Sequence, residues 1–213
     1  MNTPCEKAGH DRDVLLMEYA SGALDEALSL AVASHVALCG EARRFVSSCE
    51  TLGGALMETY CEPVALAEGS LSAVLNRIDT APDEPAAQTS DFLRCLLQEA
   101  ENAAAWRDVY RGLSCLDIPA PESFCRARLV RMAPGADIPL HGHGGIELTV
   151  VLEGALRDEA SGYGHGELLV VDERITHRLI ADESAGCLCL VASRSPVRFS
   201  RGLLRFLNSF VRF

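Results

Sequence analysis

Between Asp11 and Ile78 the apolar residues recur every third or fourth position, a spacing that predicts four helices. Val14, Leu15, Met17 and Tyr19 open the first. Leu24, Leu28, Ala31, Val32, His35, Val36 and Cys39 form the stripe of the second, with Asp25 and Glu26 where a first helical turn favours negative charge. The third runs from Glu41 to Tyr60 through Phe45, Val46, Leu52, Leu56 and Met57, with Gly53-Gly54 as a weak point. Ser70 caps a short fourth helix carrying Leu71, Val74, Leu75 and Ile78. Residues 80–91 hold Pro82 and Pro85 and no bulky apolar side chain, and read as a linker. Beyond it the period changes to two. Phe124–Leu129 alternates, with arginines on one face, and Leu148–Glu153, Glu167–Asp172 and Gly186–Ala192 are further strand candidates set off by glycine turns. Short strands at this spacing predict a sandwich or barrel, not a parallel α/β sheet. The tail from Arg194 to Phe213 predicts a last amphipathic helix docked on that barrel. The expected fold class is therefore α+β in two domains: helices over 1–79, a linker over 80–91, and an all-β domain with its terminal helix over 92–213.

Composition sharpens this picture through charge. The formal net charge is -11, and it is unevenly spread. Residues 1–90 carry 14 acids against 5 bases, a balance of -9, which leaves -2 for the rest. Phosphate contacts need clustered cations, so direct nucleic-acid binding is excluded as the main activity. The helical part is suited instead to a basic protein partner. No apolar run reaches the roughly 18–20 residues of a membrane span, and the N-terminus lacks a signal-peptide core, so the expected location is the cytoplasm, with no membrane partner. Nine cysteines there imply thiols or metal ligands more than a disulfide framework.

The sharpest chemistry lies in Gly135-x5-His141-x-His143-x3-Glu147-x6-Gly154. On an extended strand, His141 and His143 project to the same face, so both imidazoles can meet one ion. Glu147 can return a carboxylate after the Gly144-Gly145 turn, and His177 can close the set from a neighbouring strand. Three imidazoles and a carboxylate suit zinc, iron, manganese or nickel. The stretch resembles the first motif of the cupin superfamily at every fixed position. The second cupin motif keeps Gly166 and His177 but has Asp172 for its proline, Arg174 for its glycine and Ala181 for its asparagine. That resemblance implies a double-stranded β-helix, a jelly-roll-like barrel, with a zinc site that also admits iron, manganese or nickel. Cys187 and Cys189 share one strand face, as redox groups or support for that site, or as small core residues.

In the helical part, His35 and Cys39 lie four apart, one turn along a helix, and His10 precedes the first helix. This arrangement is similar to the zinc-binding anti-sigma domain. An acidic helical domain followed by a degenerate cupin resembles the ChrR-type anti-sigma factors over essentially the whole chain. The family's pattern is H-x3-C-x2-C, and its second cysteine falls on Ala42. Cys49 lies about 15 Å further along a continuous helix, so Cys5, Glu41 or water would have to supply a fourth ligand. A zinc on His10, His35 and Cys39 is therefore expected to be labile or absent. The resemblance implies a non-enzymatic regulator: the helices bind and inhibit an extracytoplasmic-function sigma factor, and the metal-binding cupin releases it under oxidative, singlet-oxygen-like stress. The alternative is a cupin metalloenzyme, such as a dioxygenase with a helical appendage.

Overall fold

The computed structural model describes residues 9–80, 89–101, 106–195 and 198–199. Four helices follow the apolar spacing: α1 (Gly9–Ala20), α2 (Glu26–Leu38), α3 (Gly40–Tyr60) and α4 (Ser70–Thr80). Asp25 caps α2 by accepting a hydrogen bond from Ala27 N at 3.1 Å. Its carboxylate also accepts from Phe124 N at 3.0 Å and from the Ser123 hydroxyl, so the cap ties α2 to a distant loop. Burial pushes this carboxyl up, but those donors outweigh it and hold it below the ordinary aspartate value. Where the spacing carries α2 through Cys39, the helix stops at Leu38. Cys39 is extended (φ -110°, ψ 110°), and the next helix starts at Gly40. Gly53-Gly54 does not break α3; a helical glycine costs only about 1 kcal/mol each, and the flanking turns carry it through.

Among the described residues eleven strands follow: β1 (Arg107–Tyr110), β2 (Leu113–Ile118), β3 (Arg126–Met132), β4 (Asp137–Gly142), β5 (Glu147–Gly154), β6 (Leu156–Arg157), β7 (Gly162–Tyr163), β8 (Leu168–Val171), β9 (Thr176–Ala181), β10 (Cys187–Ser193) and β11 (Arg198–Phe199). They pair antiparallel in two sheets, ordered β1-β2-β3-β10-β5-β8 and β11-β4-β9-β6-β7. This is the cupin-like β-sandwich expected. Inward residues such as Val130, Met132, Val151, Leu179 and Cys189 fill the space between the sheets. The outer face of the larger sheet is apolar as well, which is why β5 reads Leu-Thr-Val-Val-Leu without alternation.

What covers that outer face is the helical part. Leu28, Ala31 and Val32 of α2 join Leu129, Leu148, Val150 and Leu190 in one buried cluster, to which α1 and the first half of α3 also contribute. A fifth helix, α5 (Thr89–Glu101), which the sequence reading did not anticipate, packs Leu93, Leu96 and Ala100 into the same cluster. Its end is fastened at Ala100 O, which accepts from Trp106 Nε1 (3.0 Å) and Arg131 (2.8 Å), and that guanidinium stacks 4.2 Å over the Trp106 ring. Of the linker read over 80–91, residues 81–88 lie outside the described residues. So does the tail helix, apart from Arg194, Ser195 and β11. Among the described residues no helix is long and apolar enough to cross a membrane.

Candidate metal centre

His141 lies on β4, His143 just beyond its end, and His177 on β9; β4 and β9 pair with His141 directly opposite His177. The departures from the second cupin motif do not spoil this delivery. Asp172 replaces the proline-containing turn with an Asx turn, its Oδ1 accepting from Arg174 N at 2.9 Å while Ile175 N bonds Asp172 O at 3.2 Å. The three imidazoles are buried, with ring centroids 4.5 to 5.1 Å apart. Each offers a nitrogen within 4.8 Å of the other two. His143 Nε2 faces His177 Nε2 at 3.0 Å, near the roughly 3.3 Å that two nitrogens of a tetrahedral zinc site would show. His141 Nδ1 bonds Pro139 O at 2.8 Å, a backbone contact that fixes the tautomer with its lone pair on Nε2.

Glu147 begins β5, on the other sheet. Its carboxylate lies 3.2 Å from His143 Nδ1 and is buried. It touches the cluster through that ring, on the side away from His177. Burial pushes the carboxyl up, but the His143 nitrogen beside it outweighs this and keeps it ionised. Burial lowers the pKa of His141, and burial with the two neighbouring imidazoles lowers that of His177 to about 4. These rings are thus neutral at physiological pH, the state a metal ligand requires. Buried nitrogen donors facing one another beside a carboxylate fit a divalent transition ion. The centre opens onto a cavity of about 60 Å³ between the sheets, whose wall includes Arg128, Thr149, Ser193 and Cys189. Cys187 and Cys189 are buried with sulfurs 3.1 Å apart; the contact with Cys187, then burial, raises the Cys189 pKa, so it is a thiol and not a reactive thiolate.

The helical ligands are placed differently. Of His10 only the backbone, in the first turn of α1, is described. His35 is buried, and its Nδ1 lies 2.8 Å from Gly166 O in the loop before β8. Burial lowers its pKa, so it is a neutral ring with the proton toward that carbonyl and the lone pair on Nε2. Cys39 is half-buried at the α2–α3 junction rather than on the helical face. Ala42 is 1% exposed and packs into the shared core where a further thiolate would sit. Cys5 lies outside the described residues. The sequence reading missed two features here. One is the contact of His35 with the cupin loop, which no local pattern encodes. The other is that Arg128, on the arginine face of β3, points between the sheets.

Residues 99–196 match the ChrR cupin-like domain family. The anti-sigma-E factor ChrR of Cereibacter sphaeroides is 36% identical over 213 aligned residues, which cover 95% of this chain and 97% of that protein. A crystal structure of Rhodobacter sphaeroides SigE in complex with the anti-sigma factor ChrR matches with a TM-score of 0.72 and 36% identity, over 85% of this chain and 96% of the matched one.

Proposed function

The chain belongs to the ChrR family of anti-sigma factors, and from that premise we propose how it works: an arm made of α3 and α4 holds an extracytoplasmic-function sigma factor inactive, and the cupin centre governs its release. One observation carries the first half. Leu52, Leu56, Met57 and Tyr60 on α3 and Leu71, Val74, Leu75 and Ile78 on α4 are all exposed, and α4 has no buried residue at all. A helix that buries nothing against the described residues gains little from folding alone, and its apolar face marks a protein partner. The surplus of acids over residues 1–90 speeds encounter with a basic protein. Such a complex works in the cytoplasm, where sigma factors act, and needs neither DNA contacts nor a membrane. An enzyme would have no use for the arm, and this is why we read a regulator.

For the second half, His141, His143 and His177 hold a divalent metal, which we take to be zinc, with Glu147 as the anionic group beside them. When bound, the metal would tie β4 to β9, and Glu147 of β5, held on His143, would link that site to the other sheet, so the centre would act as a clamp between the two. Oxidative damage to any of these side chains weakens the clamp. Two routes lead from there to the helices. The outer face of β5 packs against α2, and Glu147 pairs across to Val171 of β8, which follows the loop whose Gly166 carbonyl meets His35. Release requires the two states to differ in sigma affinity by about 1–3 kcal/mol or more. In the helical part, His10, His35 and Cys39 without a fourth ligand form a labile zinc site at most, and the shared apolar core holds the helices without it. Replacing His141 and His143 together by alanine tests the sensor: with the clamp gone, cells should release sigma even without singlet oxygen. Normal release in that variant would remove the cupin centre from the account.

A further inference from the structure

The cavity beside the metal centre holds a feature that neither sigma binding nor metal ligation uses. Arg128 is 5% exposed, and in the register of the larger sheet it stands level with Asp117, Val191 and Thr149. Its Nε donates to Asp117 Oδ1 at 2.9 Å, but one of its terminal nitrogens, Nη2, is buried without any hydrogen-bond partner. A buried guanidinium N–H left unpaired is costly, and an arginine fork donates strongly to carboxylate or phosphate oxygens. Asp117 does not satisfy the local charge, because it is shared with Arg107 at 3.3 Å. Thr149 and Ser193 border the same cavity, and the rest of its wall is mostly apolar, including Leu113, Val130, Met132 and Leu179. Glu147 also borders it, with its charge engaged at His143.

From this combination we infer that the cavity is a binding site for a small carboxylate with a short apolar tail, its head on Arg128 and its tail among the aliphatic side chains. The guanidinium charge selects an anion, the unpartnered Nη2 selects an oxygen acceptor, and the volume of about 60 Å³ limits the tail to a few carbons. Phosphate and sulfate are disfavoured by the apolar wall. The inference stands or falls independently of sigma binding.

Butyrate is the probe, titrated into the purified full chain, zinc-loaded and metal-free, by calorimetry and by thermal unfolding. The expected result is a dissociation constant of about 1 mM or tighter and a rising melting temperature, with 1-butanol and butylamine at least about tenfold weaker and decanoate excluded. Arg128→Gln should weaken butyrate about tenfold or more, whereas Arg128→Lys should retain part of the affinity. If neither variant folds, the comparison of butyrate with 1-butanol in the native chain decides alone. Failure of butyrate to bind at 10-fold above that concentration, equal binding of 1-butanol, or undiminished binding in Arg128→Gln would each overturn the inference. Binding confined to the zinc-loaded form and unchanged by Arg128→Gln would place the carboxylate on the metal and overturn it equally.

Discussion

Charging the apolar face of α4 separates docking from folding. Leu71 is 65% exposed and Ile78 is 64% exposed, so neither supports the folded chain. Replacing both by aspartate costs roughly 0.5 kcal/mol each in helix propensity and nothing in packing. Burial of a whole Leu or Ile side chain is worth about 1.5–3 kcal/mol, so the two-thirds still available at each contributes about 1–2 kcal/mol to a complex. A carboxylate forced into the same contact without a partner adds at least about 1–3 kcal/mol of desolvation per site. The pair should therefore weaken sigma binding by roughly 4 kcal/mol or more, about a thousandfold in Kd, while urea unfolding shifts by no more than about 1 kcal/mol. Interferometry against the sigma factor gives the first number and urea melts the second. A serine pair at the same positions removes charge from the comparison and should still lose about tenfold or more. A Kd within tenfold of the native value, with the double aspartate chain folded, would refute the assignment of the arm as docking surface.

The seam between helices and cupin yields sharper stability predictions. Gly166→Ala should cost about 2–4 kcal/mol in urea unfolding: the residue sits at φ +79°, and an added Cβ would lie 3.0 Å from that of Leu38. Asp25→Ala should cost about 2–4 kcal/mol by removing a cap and the charged acceptor for Ser123 and Phe124. Because the Asp25 pKa is lowered on folding, its contribution is full above the unfolded value near 3.8 and is lost as pH falls through the lower folded value; the native and Asp25→Ala unfolding curves should approach one another as pH falls below 3.8. Dialysis against a chelator, followed by metal analysis, should leave about one tightly held ion per chain, abolished by His141→Ala with His143→Ala and unaffected by Cys39→Ser.

The histidine cluster was legible because His141, His143 and Glu147 sit at short, fixed spacings in one motif, and the His177 strand had only to pair with that of His141. The four helices were legible for the same local reason. What the pattern left open is which partner covers a stripe. Leu28 and Val32 on α2 and Leu71 and Val74 on α4 recur with the same period, yet the first pair is buried on β-strands and the second is exposed. Arg128 shows the same limit in a strand: alternation placed it on one face with Arg126, but only the closed sandwich makes position 128 interior and leaves 126 outside. The α2 cap joins residues 98 apart in the chain, and the His35 contact joins residues 131 apart; no local signal reaches so far. Cys39 fell off the helical face because the chain turns there to bring α3 back against α1.

The most direct test of the central claim is reconstitution with the purified full chain and the extracytoplasmic-function sigma factor of its own cell. The account predicts a stable one-to-one complex that blocks sigma-dependent transcription by RNA polymerase in vitro, and a chain with charged α4 that neither binds nor blocks. Transcription undiminished by excess folded native chain would contradict it.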